Sequence, residues 1–209
     1  IKLLLVHGFR PQVSEQLKAK GHPERFSHGL RITDEVALDC AQEAAGQLRF
    51  EIEAAFSQGL PNTPMANATL RVISGNFLTA RPVGIVDGVD FRNSGVVRKV
   101  DAVAIRRAID TDAVVLLSPF GFSPTGEAFN LTMEDVATST AIALQADKLM
   151  FITEVPGVRE NNDDANSDID TELSLADAER ILAALPAPTR PTDVAFYLRH
   201  CVRACREGV

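Results

Sequence analysis

The chain has little cysteine. Cys40, Cys201 and Cys205 are its three thiols in 209 residues, and they form no CxxC pair. So sparse and odd a count argues against a disulfide framework. It fits buried apolar thiols in a reducing compartment, so a cytoplasmic location is expected. No apolar run approaches the ~18 residues of a membrane-spanning helix. Residues 1–6 are apolar but too short for the core of a secretion signal. Positive charge is short too: 21 Lys and Arg face 28 Asp and Glu, a net charge of −7. Nucleic acid and anionic membranes reward a basic surface, so neither is expected as a partner. Zinc-site spacings, a P-loop and a Ser/His/Asp arrangement are missing as well.

What is there reads as one globular domain. The chain is 45% hydrophobic and 23% charged, and it is long enough to bury a core. The run IKLLLV at 1–6 suits a strand covered on both faces. A tight turn at His7-Gly8 leads to a helix over 11–20, stopped at Gly21, with Pro11 in its first turn. Residues 31–33 read as extended. Thr33 is expected to cap a long helix over 34–58, where Val36, Ala37, Cys40, Ala41, Ala44, Ala45, Leu48 and Ile52 recur at helical spacing. So many Ala on one stripe predict close approach of another element, either within the chain or from a second subunit.

Further on, strands are expected at 70–74 and 77–82, joined by a Gly75-Asn76 turn. A loop follows at 82–88, then a strand at 95–100. Asp101 should cap a helix over 102–110. Apolar strands are expected at 113–117 and 148–153, with a helix from about 133 to 145 between them. Residues 156–171 read as an acidic loop, and helices close the order at 173–184 and 192–206. Strands alternating with helices predict an α/β three-layer sandwich with a mainly parallel sheet.

The stretch SPFGFSPTGEAFNLTMEDVAT at 118–138 carries the clearest site signal. A strand runs into a Gly/Pro/Ser loop, and Asn130 and Thr132 then open a helix. That order places polar groups at the carboxyl end of a strand, where open α/β sheets bind ligands. Thr132 and Asp135 also fit a capping box with Asp in place of Glu. Glu134 and Asp135 could hold Mg²⁺ or organise donors in phosphoryl transfer. Gly8 could offer backbone N–H groups to an anion, although one glycine makes a poor phosphate cradle. Arg31 could clamp a carboxylate. Asp163, Asp164, Asp168 and Asp170 lack the spacing of an EF-hand, so they read as a solvated loop. Arg81 and Gly84 approach an acetyltransferase phosphate loop, but Val86 breaks it.

HGFRPQ, GLRITD, VISGNFLTARPVGIVDGVDF and SPFGFSPTGEAFNLTMEDVAT together resemble the amino-acid-kinase-like domain of bacterial N-acetylglutamate synthase. The resemblance covers nearly the whole chain and implies the fold that this domain shares with acetylglutamate kinase. It also implies a degenerate kinase pocket around Gly8, Arg31, Asn130, Asp135 and Tyr197. Asp135 matches the kinase's organising Asp, Arg31 its substrate-carboxylate Arg, and Tyr197 stands where the kinase has a catalytic Lys. No catalytic residue or metal is then expected in this chain. The resemblance further implies homo-oligomer formation and binding of L-arginine as regulator, with Gly208 at the edge of that site. Acetyl-CoA would be a substrate of a separate acetyltransferase domain. The chain starts inside a strand-like run and ends on a helix cap. Residues 1–209 are therefore expected to be a fragment lacking a first strand, the last strands and that acetyltransferase domain. The alternative is an acetylglutamate kinase using MgATP.

Overall fold

The computed structural model describes residues 2–58, 70–153, 157–158, 169–190 and 192–209. β1 (Leu4–Val6) leads into α1 (Arg10–Ala19). A short hairpin, β2 (Phe26–Ser27) and β3 (Leu30–Arg31), precedes the long helix α2 (Glu35–Ser57). After β4 (Val72–Ile73) come β5 (Leu78–Pro82), a second small hairpin of β6 (Ile85–Val86) and β7 (Val89–Asp90), and β8 (Gly95–Val100). Helix α3 (Ala102–Ile109) runs to β9 (Val114–Leu117), the hairpin β10 (Phe120–Phe122) and β11 (Ala128–Asn130), and α4 (Met133–Leu144). Helices α5 (Leu175–Ala184) and α6 (Val194–Arg206) complete the order.

The fold is α/β, as the alternating pattern predicts. β1, β9 and β4 form a parallel sheet with β9 in the centre. All four residues of β9 are buried, which is why VVLL carries no polar alternation. Ile105 and Ile109 of α3 and Val136 of α4 pack on Val115 and Leu117. Asp101 caps α3 as expected, its carboxylate accepting from Ala104 N–H at 3.0 Å.

A second sheet has the order β11-β10-β5-β8. A parallel bridge between Ser94 and Asn130 links its two outer strands and nearly closes it into a ring. Two glycines allow close packing within this ring, Gly95 at the closing edge and Gly121 between neighbouring strands. A Cβ on Gly95 would sit 2.7 Å from Phe129 Cβ, and one on Gly121 would sit 3.2 Å from Ala80 Cβ.

The alanine stripe of α2 is covered from within the chain. Phe9, Val13 and Leu17 pack on Ala37, Cys40, Ala41 and Ala44. Small residues on one helix let the other approach closely, and each fully buried Val or Leu stabilises the pair by about 1.5–3 kcal/mol.

Several local expectations are corrected. Asp34, not Thr33, caps α2, accepting from Ala37 N–H at 3.0 Å. The Gly75-Asn76 segment makes no hairpin, because β4 and β5 belong to different sheets. The loops expected at 82–88 and after Ser118 contain β6 and the β10–β11 hairpin. Residues 148–153 form no strand, and Met150 and Ile152 are 70% and 87% exposed. An apolar run becomes a strand only where a neighbour takes its hydrogen bonds, and no described strand pairs with this one. Asp163, Asp164 and Asp168 lie outside the described residues.

Candidate functional site

A cleft opens where β1 turns into α1. It is walled by the β2–β3 hairpin, the start of β8 and the approach to α4, and its water-accessible interior is about 40 Å³. Three of the expected residues, Gly8, Arg31 and Asn130, line it. Asp135 and Tyr197 are not among its lining residues; they lie along the contact between α4 and α6.

Gly8 packs closely under Met133. A Cβ there would lie 2.8 Å from Met133 Sδ, so the Met133 side chain fills the space over the turn.

Arg31 is 8% exposed and stacks on Phe26, with Cζ 4.9 Å from the ring centroid. Its guanidinium forms an ion pair with Glu24 and donates to Ser14 Oγ at 3.2 Å. Burial pulls its pKa down, and the Glu24 carboxylate opposes that pull. The carboxylate grip expected of Arg31 is thus already exercised on a carboxylate of the chain itself.

Asn130 belongs to a buried network. Its Nδ2 donates to Thr33 Oγ1 at 3.0 Å, and Thr33 Oγ1 lies 2.8 Å from Ser94 Oγ. Ser94 Oγ accepts from Thr33 N–H at 3.1 Å and donates to the Arg31 carbonyl at 2.5 Å. Thr33, expected as a helix cap, is instead the hub that fixes Asn130 relative to the Arg31 backbone.

The first turn of α4 carries two adjacent carboxylates with different partners. Glu134 is fully buried and forms an ion pair with Arg10 of α1; its Oε1 has no hydrogen-bond partner. Asp135 accepts from Val97 N–H at 2.8 Å and from Arg203 of α6 at 2.8 Å. Thr132 does cap α4, accepting from Asp135 N–H at 3.2 Å. The second half of the expected capping box is not made, since the Asp135 side chain turns to β8 and α6.

Tyr197 is half-buried next to the Arg10–Glu134 pair. Burial pushes its phenol pKa up, the Glu134 charge pushes it further, and Arg10 opposes both. One turn on, His200 is lowered to about 4 by burial, with Arg203, Arg199 and Arg10 adding to the shift and Asp135 opposing it. Gly208 follows α6 with φ 86°, and its N–H returns to the Cys205 carbonyl at 3.2 Å.

Arg10, Arg203, Ser94 and Glu24 complete this region, and sequence reasoning did not single them out. Arg10 left one signal: it occupies a turn where a phosphate cradle would carry glycine. Arg203 and Ser94 gain their meaning from partners more than 60 positions away, and Glu24 from Ser14 and Arg31 within ten positions of it.

Chemically, the cleft's two arginines, Arg10 and Arg31, are each neutralised by a glutamate. Phosphoryl transfer needs cations aimed at the developing charge, and these two are committed elsewhere. Among the described residues no group of three or more His, Cys, Asp or Glu is placed to hold a metal ion. No helix among them is long and apolar enough to cross a membrane.

The chain is 55% identical over 207 residues to an amino-acid acetyltransferase of Ralstonia nicotianae, covering 99% of this chain and 44% of that protein. It is 44% identical to the amino-acid acetyltransferase of Azotobacter vinelandii, covering 100% of the chain and 46% of the relative. The chain therefore spans about half the length of the curated relatives it matches. Among solved structures, the N-acetylglutamate synthase of Neisseria gonorrhoeae in complex with coenzyme A and L-arginine superimposes with a TM-score of 0.87 at 34% identity. That match covers 100% of this chain and 47% of the solved one. The same enzyme in complex with coenzyme A and N-acetyl-glutamate superimposes with a TM-score of 0.84. The model of the amino acid kinase family matches residues 1–209. This chain belongs to the amino acid kinase family.

Proposed function

We propose that the chain is the regulatory, oligomer-forming domain of an N-acetylglutamate synthase. The parent protein acetylates L-glutamate from acetyl-CoA, at the entry to arginine biosynthesis in the cytoplasm, and L-arginine binds this domain as feedback regulator. Acetyl transfer belongs to a part of the parent outside residues 1–209. The family's pocket is kept here as a structural relic lined by Gly8, Arg31 and Asn130, with Asp135 and Tyr197 behind it along the α4–α6 contact.

The observation that carries this reading is the Arg10–Glu134 ion pair beside Tyr197. Tyrosine stands where a kinase needs a lysine, and the nearest arginine is held by a buried carboxylate. That arrangement speaks against the alternative, phosphorylation of N-acetyl-L-glutamate with MgATP. The Neisseria gonorrhoeae structure with L-arginine supports arginine as the ligand, and Gly208 marks the expected edge of its site.

Calorimetry on the full-length parent protein tests the proposal. L-arginine should release or absorb heat at about one site per chain and reduce acetyl transfer. Size-exclusion chromatography should show an oligomer that requires this domain. A flat arginine titration would remove the regulatory role, and ADP release with N-acetyl-L-glutamate and MgATP would restore the kinase reading.

A further inference from the structure

We propose that Cys201 and Cys205 form a two-thiolate site for a monovalent thiophilic cation, copper(I) in the first place, at the C-terminal end of α6. Of the three thiols Cys40 alone is buried. Cys201 is half-buried, Cys205 is exposed, and none is in a disulfide. The two α6 thiols are four positions apart within one helix. They therefore stand one turn apart on the same face, with Cβ atoms about 5–6 Å from each other. Helical geometry pairs them without any CxxC spacing.

The backbone holds the pair in register. Val209 N–H bonds the Ala204 carbonyl at 3.1 Å, and Gly208 N–H bonds the Cys205 carbonyl at 3.2 Å. The last turn of α6 is thus closed rather than frayed, and Cys205 keeps its helical place. The cations nearby on α6 are engaged elsewhere. Arg203 is paired with Asp135 at 2.8 Å and Arg206 with Glu179 at 2.7 Å. Partial negative charge gathers on the last carbonyls of a helix, so a cation bound at this end meets a field of favourable sign.

The donor set selects the ion. Among the described residues no third His, Cys, Asp or Glu joins the two sulfurs in a larger group. Zinc asks for a fuller set of ligands, and calcium and magnesium ask for oxygen. Two soft thiolates suit copper(I), which accepts two-coordinate binding. Each thiol loses its proton as its bond to the metal forms. One copper(I) ion and two thiols give one bis-thiolate complex of charge −1 and release two protons, with no oxidant or reductant involved. Burial pushes the Cys201 thiol pKa up, and the Cys205 charge pushes it further. The metal must displace that proton, so uptake weakens as pH falls. Once bound, the ion splints the last two turns of α6.

Copper(I) competition with the coloured chelator bicinchoninate tests this on the full-length parent protein, reduced and kept free of oxygen. The unaltered protein should withdraw about one more copper ion per chain than Cys201→Ser, and likewise than Cys205→Ser. Loss of either sulfur should weaken the site at least about tenfold, since even an indirect partner of a metal is worth that much. Other thiols of the parent cancel in the comparison. Cys205 is exposed, so Cys205→Ser tests the site without disturbing packing, and circular dichroism checks that both variants stay folded. Equal uptake by the unaltered protein and Cys205→Ser would overturn the proposal. So would a loss confined to one of the two variants, which marks a single-thiol contact.

Discussion

Arg203 of α6 reaches across to Asp135 of α4, with 2.8 Å between guanidinium nitrogen and carboxylate oxygen. Its second nitrogen donates to Ser139 Oγ at 3.1 Å. The same carboxylate takes the Val97 N–H. One aspartate therefore ties a sheet strand, the central helix and the last helix together.

Removing the cation leaves that carboxylate largely buried with only neutral donors. Arg203→Met should lower stability by about 1–2 kcal/mol, less than a fully buried pair because the arginine is half-exposed. Asp135→Asn should cost less, since an amide oxygen still accepts from Val97 and no charge is stranded. Urea denaturation midpoints read both, and the reverse ranking would contradict the arrangement.

Arg10 and Glu134 present the sharper case, because the Glu134 side chain has no exposed surface. Arg10→Met strands a buried charge and should cost about 3–5 kcal/mol. Adding Glu134→Gln should recover much of that loss, since a neutral amide is far cheaper to bury. A double variant no more stable than Arg10→Met alone would show that the stranded carboxylate is not the source of the loss.

Gly8→Ala places a methyl 2.8 Å from Met133 Sδ. The overpacking should cost about 1–2 kcal/mol, with the flexible thioether absorbing part of it. Met133→Ala in the same chain should relieve the clash but leave a cavity. Thermal melts of the two single variants and the double should therefore be non-additive.

His200 gives a pH dependence with a definite sign. Its pKa is about 4 in the folded chain against 6.5 for the free side chain, so the unfolded state binds the proton first. Stability is unaffected above about pH 6.5 and falls as pH drops toward about 4, by up to roughly 3 kcal/mol. His7, also lowered by burial, acts in the same direction. Urea titrations at a series of pH values should show a shallower acid slope in His200→Gln. An unchanged slope would mean that folding does not lower the His200 pKa.

The sequence announced what local physics controls. VVLL in β9 had to be buried on both faces, Asp101 had to cap α3, and the alanine stripe of α2 had to meet another element closely. Gly8, Arg31 and Asn130 were placed in one pocket by the family resemblance, not by their spacing along the chain. Partnership was not legible. Thr33 looks like a helix cap until Ser94 and Asn130 arrive from 61 and 97 residues away. Asp135 looks like half of a capping box until Arg203 claims it. The 148–153 run failed for a related reason: strand propensity is conditional on a neighbour, and that neighbour is not written in the run itself.

The near-closed ring of β11, β10, β5 and β8 has a consequence for how this pocket can diversify. Where β8 passes Phe129, a single methyl group at Gly95 is already too much, and one at Gly121 would press on Ala80 at 3.2 Å. The floor of the cleft at Gly95 therefore offers no side chain to exchange for another, and any innovation there would have to break the ring first. Selectivity can be rewritten through the β2–β3 hairpin, the Arg10 turn and the approach to α4, which also line the cleft. Among relatives that keep both glycines, differences in what the cleft accepts should accumulate in those rims while the floor stays silent.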